Sequence, residues 1–382
     1  MRAARPYDAI VVGVGTMGSS ALQHLARRGR RVLGIEQYEL AHARGSMHGH
    51  SRIIRLAYHE HPDYVPLLRR CYELWRELER LTGTRLLELV GSVEIGVPAG
   101  PLVTGTLLAC SSYDLPFTIL EPPELARRFP AFAPEAGTVG VAQPDGGYLL
   151  AEAAVRAQAA LAVESGAELR TGERVLDWES SGAGVTVETD AGAYRAARLI
   201  LTPGAWAPGL FRLPAGLLTA ERQVVAWFEP GRPTEFTPDR LPVFIVEEGS
   251  TQYYGFPSID GAGVKLGRMH HPGTPVPRPE LPEPEPTGAE IAPLRSFLER
   301  RLPHAPGRLV EAHACRFTNT PDRRFVIDLH PHEPNVVVAS ACSGHGFKFA
   351  PVVGEILADL AEAGETAHPI EFLRLGRPGV LS

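Results

Sequence analysis

Lysine is nearly absent from this chain. Of 38 basic residues only Lys265 and Lys348 are lysines, so arginine is the default cation. A lysine that persists on such a background marks work guanidinium cannot do, because an ammonium is a compact charge that can lose its proton when desolvated. Cysteine is scarce too. Cys71, Cys110, Cys315 and Cys342 are too scattered for a disulfide framework, and no CxxC pair offers a zinc site. Basic charge is not in excess: the net charge is -6, which excludes the electrostatic stripe of a nucleic-acid binder. Long apolar runs are missing, since residues 9–12 are cut at once by Gly13, so no signal segment or membrane span is predicted and the chain reads as cytoplasmic. No GxSxG elbow or P-loop occurs, which leaves serine-hydrolase and kinase-like chemistry without support.

What remains is an ordinary globular composition, 44% hydrophobic and 21% charged over 382 residues, long enough for two domains. Residues 8–12 read as a buried parallel strand. A Gly-rich turn follows, then a helix with Ala21, Leu25 and Ala26 on one face, closed by Gly29; residues 31–36 form a second strand ending in Glu36. Helices are predicted over 66–81, 149–165 and 351–363. Antiparallel strands are predicted at 175–190, 223–229, 243–248 and 252–256, and a further strand at 335–341. The Pro-rich segment 272–286 reads as a surface loop or extended linker.

Gly13-x-Gly15-x-x-Gly18 lies between strand and helix, with Glu36 ending the next strand. The first two glycines let the backbone approach a pyrophosphate at the positive helix N-terminus, Gly18 lets helix and strand pack closely, and Glu36 accepts hydrogen bonds from a ribose diol. This fingerprint alone does not choose between NAD and FAD. Two features tip it to FAD: a late strand–turn–helix carrying Gly344 and Gly346, and a strand over 198–202 running into the turn at Gly204. The fold expected is α/β, a Rossmann-like FAD-binding domain interleaved with a mixed-sheet substrate domain. The nucleotide unit is assigned 1–85, 145–222 and 312–382, and the substrate unit 86–144 and 223–311.

Several segments together resemble the monomeric sarcosine oxidase family of flavoenzymes, which includes N-methyltryptophan and pipecolate oxidases. They are residues 45–58, ending Arg52-Ile53-Ile54-Arg55-Leu56-Ala57-Tyr58; the helix ending at Trp75; Tyr254-Gly255-Phe256-Pro257; Gly263-Val264-Lys265-Leu266-Gly267; Cys315-Arg316-Phe317-Thr318-Asn319; and Ser343-Gly344-His345-Gly346-Phe347-Lys348. Both lysines of the chain fall inside these segments. The resemblance implies an FAD-dependent oxidase, acting as a monomer, that converts a small secondary amine bearing a carboxylate to an imine while O2 becomes H2O2.

By the same resemblance, Cys315 carries FAD through a thioether and Arg52 supports that attachment. Lys265 stands by the flavin and promotes electron transfer to oxygen, a role physics favours because a nearby cation stabilises superoxide in a low-dielectric site. Arg55 and Lys348 hold the substrate carboxylate, the first as a planar fork and the second as a point charge. His345 lies beside the flavin, and Gly344, Gly346 and Phe347 complete that approach. Tyr254 lines the substrate pocket, and His48 and Ser51 sit on the flavin side near Arg52. Three departures bear on specificity: Met269 stands where sarcosine-oxidising members carry His (His270 follows it), Phe317 replaces Tyr, and Cys342 replaces an aromatic. A larger or more apolar amine than sarcosine is therefore expected. The rivals are an oxidase of D-amino acids or glycine, or a dehydrogenase, with non-covalent FAD, and a non-catalytic FAD-binding subunit. The histidines at 42, 48, 50, 59 and 61 lack the spacing of a metal site on one helix face, and no metal is expected.

Overall fold

The computed structural model describes residues 5–269, 274–276 and 278–380. Tyr7–Val12 is the centre of a parallel sheet, flanked by Val32–Glu36 and Ala193–Leu201, with Glu168–Thr171 beyond the first neighbour. Ala193–Leu201 divides its other edge. Its first half pairs antiparallel with the hairpin strand Gly184–Thr189, and its last three residues pair parallel with Glu333–Ser340. The continuous apolar runs of these strands are explained by burial on both faces.

Helix Thr16–Arg27 packs between Ala151–Glu164 and Ala350–Ala363 on one face of this sheet, and Tyr64–Thr82 lies against the same helices. The predicted helices over 66–81 and 351–363 are thus present to within a turn. The one predicted over 149–165 begins later, because Leu149 and Leu150 are strand residues. Gly147–Leu150 joins Ser51–Ile54 and Leu87–Leu89 in a small three-stranded sheet.

A second, largely antiparallel sheet is built around Thr219–Phe228, which pairs with Leu309–Asn319 on one side and Val264–Arg268 on the other. Thr251–Phe256, Val243–Glu248, Ser92–Gly96 and Val139–Gln143 extend it. The boundaries drawn at 222/223 and 311/312 fall inside two strands that belong wholly to this sheet. Helix Gly288–Arg301 covers one face and buries Leu294, Phe297 and Leu298 there. Thr287 and Glu290 begin it with a reciprocal capping box.

The Pro-rich segment is not a free linker where it is described. Glu283 receives Arg222 (3.0 Å) and Arg316 (2.8 Å), and Thr274–Pro275 adds a short strand to Thr219–Phe228. His270 and residues 271–273 and 277 lie outside the described residues. Among the described residues no helix is long and apolar enough to cross a membrane.

Candidate active site

The two sheets meet around a cavity of about 470 Å³, which runs from the Gly13–Met17 turn to Lys348. At one end the strand-to-helix turn is tight. Gly13 has φ +86°, and a Cβ on Gly18 would stand 1.9 Å from the Gly13 carbonyl oxygen, so only glycine closes this turn. The N-terminus of Thr16–Arg27 has no side-chain cap, and the space over Gly15 is open. Glu36 lines the same end, accepting from Val14 N (3.0 Å) and Tyr38 N (3.1 Å).

Lys265 is buried beneath the segment 46–52. Its Nζ donates to Gly49 O (2.6 Å), Ser51 O (2.7 Å) and Ser51 Oγ (3.3 Å), while the rings of Phe256 and Trp227 lie 4.5 and 5.2 Å away. Burial, with Arg52 adding repulsion, pushes this ammonium well below the ordinary lysine range. Arg52 donates to the carbonyls of Ser46, His48 and Ser51, so one guanidinium organises the whole segment. Cys315 lines the cavity from Leu309–Asn319 as a free thiol. Burial raises its pKa, against the pull of Arg52 and Lys265. Tyr254 is on the wall as well, its phenol raised by burial.

At the far end Arg55 Nη2 donates to both oxygens of Glu60, at 3.0 and 2.8 Å, and its Nε stands 3.8 Å from Glu94. Lys348 Nζ donates to His345 O (2.7 Å) and Tyr58 Oη (3.3 Å), and Trp75 Nε1 fixes the Lys348 carbonyl. Burial and Arg55 bring Lys348 down to about 7. Burial likewise lowers His345 to about 4, so its ring is neutral at pH 7. With Nε2 3.0 Å from the Arg323 carbonyl, the ring proton is assigned there, and Nδ1 accepts from Tyr58 Oη at 2.6 Å. Burial works to raise the Glu60 carboxyl, but Arg55 with His59, His345 and Lys348 outweighs it and holds the group well below the carboxylate range. Glu94 goes the other way. Its burial dominates over Arg55 and raises it to about 7.

Met269 and Phe317 meet at Gly344, where a Cβ would come within 3.2 and 2.6 Å of them, and these three form one wall with Gly346 and Phe347. Of the residues singled out in the sequence, Gly18, His48 and Ser51 do not line the cavity. Gly18 packs against Gly13, Ser51 faces Lys265, and His48 bonds Ala314 O at 3.0 Å, its ring kept neutral by burial. The sequence pattern does not single out Tyr58, Glu60 or Glu94. Tyr58 ends the 45–58 motif, whereas Glu60 and Glu94 carry no local pattern.

A dinucleotide fits this cavity. Besides the uncapped helix N-terminus and the open space over Gly15, Trp206 Nε1 and Ser340 Oγ line the cavity, buried and without a partner among the described residues. The chain belongs to the FAD-dependent oxidoreductases: the model of that family matches residues 8–360. Its relatives are narrower in kind. It is 44% identical to a monomeric sarcosine oxidase of Streptomyces avermitilis over 95% of this chain and 96% of that one. It is 34% identical to an N-methyl-L-tryptophan oxidase of Yersinia pestis over 97% and 99%. Among solved structures it is similar to NikD, an amino acid oxidase of nikkomycin biosynthesis, with a TM-score of 0.84 and 28% identity over 97% and 98% of the two chains.

Proposed function

We propose that this flavoenzyme oxidises a secondary amine that carries a carboxylate, an N-alkyl or cyclic amino acid, with O2 as electron acceptor. The observation that carries this reading is the convergence of Arg55 and Lys348, two buried cations, at the end of the cavity remote from the dinucleotide turn. Arg55 is paired with Glu60, whereas Lys348 has no carboxylate within ion-pair distance among the described residues, and an anionic ligand relieves the cost of that unpaired buried cation. The relatives named above act on amines of this kind, which supports the choice of substrate class.

The nucleotide unit is drawn as 1–85, 145–218 and 320–382, so that strands Thr219–Phe228 and Leu309–Asn319 stay whole in the second sheet, which supplies the substrate wall. FAD, held at the Gly13–Gly18 turn and linked to Cys315, supplies the two-electron chemistry. Arg55 and Lys348 seat the carboxylate and so fix the carbon next to nitrogen in one orientation. Neutral His345, tied by Tyr58 and Arg323, gives that seat a fixed edge. Lys265 provides positive charge where O2 is reduced, which stabilises superoxide as it forms. In the overall reaction the amine loses a hydride equivalent and a proton to become an imine, which water hydrolyses, while O2 takes two electrons and two protons to give H2O2. Met269 and Phe317 leave an apolar wall, which favours an amino acid with an apolar side chain, a group that sarcosine lacks. The enzyme acts as a monomer in the cytoplasm.

The test is anaerobic. Sarcosine, N-methyl aromatic amino acids, proline and pipecolate are mixed in turn with the yellow holoenzyme. A productive substrate bleaches the flavin, and admitted air restores the colour with one peroxide per turnover. No bleaching with any of them removes the proposal.

A further inference from the structure

Outside the cavity, three metal-ligating side chains gather where the segment 46–52 meets the second sheet. Among the described residues, the ligand atoms of His50, Glu311 and His313 all lie within 4.8 Å of one another. Glu311 and His313 are two apart on Leu309–Asn319, so they share a face of that strand. His313 Nε2 is hydrogen-bonded to one Glu311 oxygen, and His50 Nε2 stands 3.4 Å from the other. Each imidazole therefore already points a nitrogen at the same carboxylate.

His50 is held in place for this. Its N–H donates to Glu152 (3.1 Å), its carbonyl accepts from Ala151 N (3.0 Å), and its φ of +67° is a conformation few side chains adopt. The indole of Trp227 contacts both rings, with centroids 5.6 Å from His50 and 5.4 Å from His313. His50 is 61% exposed, which leaves a face open for water as a fourth ligand.

We propose that His50, Glu311 and His313 form a binding site for a borderline divalent transition ion, Zn2+ being the test ion. Two imidazole nitrogens and one carboxylate match its preferences, and tetrahedral bonds of about 2.0–2.1 Å need only small rotamer changes from the spacing present. The ion staples the segment whose carbonyls receive Lys265 to the strand that carries Cys315. This site is independent of the amine-oxidase reading, because it uses no group of the cavity.

The test is calorimetric titration of untagged holoenzyme with Zn2+. The expected result is one equivalent bound by the wild type, and binding weakened about a hundredfold or lost in His50→Asn and His313→Asn, with His332→Asn unchanged. Asn at position 50 tolerates the positive φ, so folding is retained. If either variant fails to fold, Cu2+ EPR of the wild type serves instead, and the site requires hyperfine splitting from two imidazole nitrogens. No binding at millimolar Zn2+, binding untouched by both substitutions, or a copper signal without two nitrogens overturns the proposal.

Discussion

Arg55 and Glu60 form an ion pair inside the cavity, both Glu60 oxygens lying within 3.0 Å of one guanidinium nitrogen. The seat proposed for a substrate carboxylate is thus already satisfied by a carboxylate of the chain. An incoming acid competes with Glu60 for Arg55. Glu60→Gln keeps an acceptor for Arg55 but removes the competing charge, so a simple carboxylate lacking the amine is expected to bind several-fold more tightly. Flavin absorbance titration reads this directly. Weaker binding would show that Glu60 positions Arg55 rather than guarding it.

Lys348 gives the seat a pH dependence. Burial and Arg55 bring it to about 7, so it is charged below that pH and loses its proton above it. Affinity for the same non-oxidisable carboxylate should be constant at low pH and fall up to about tenfold per unit as pH rises past 7. Lys348→Arg keeps its charge, and the decline should shrink to the part that Glu94, also raised to about 7 beside Arg55, contributes as it ionises. A profile unchanged by that substitution would move the titration elsewhere.

Lys265 acts on the second half-reaction alone in this account. Stopped-flow reduction of Lys265→Met by substrate should proceed nearly as in the wild type, while reoxidation by O2 slows about a hundredfold to a thousandfold. Equal slowing of both halves would contradict the assignment.

The proposed function makes Cys315 the attachment point of FAD, and acid precipitation tests it. Acid precipitation of the wild type is expected to leave yellow in the pellet, and of Cys315→Ala to release it to the supernatant. Release from both would make the thiol a packing group.

The strand–turn–helix and its glycines were legible because each carries its own local constraint: a positive φ at Gly13, no room for a Cβ at Gly18. The lysines were legible by their rarity. Helix Pro101–Tyr113 was not, since it has no polar stripe to give a helical period, and Gly288–Arg301 was hidden by Pro293 despite the Thr287–Glu290 box. Glu94 reads as an ordinary strand residue; only the fold brings it to Arg55. Histidine spacing along the sequence is blind to partners from another strand. Of the histidines at 42, 48, 50, 59 and 61, only His50 joins a cluster of possible ligands among the described residues, and its partners lie more than 260 residues downstream.

A matched pair of substrates tests the carboxylate seat. Peroxide production is measured with an N-methyl amino acid that the enzyme oxidises and with its primary amide, which keeps the amine and shape but loses the charge. kcat/KM is expected to fall by about a hundredfold or more with the amide, and Arg55→Met to narrow the gap by impairing the acid alone. Equal turnover of acid and amide would contradict the carboxylate seat.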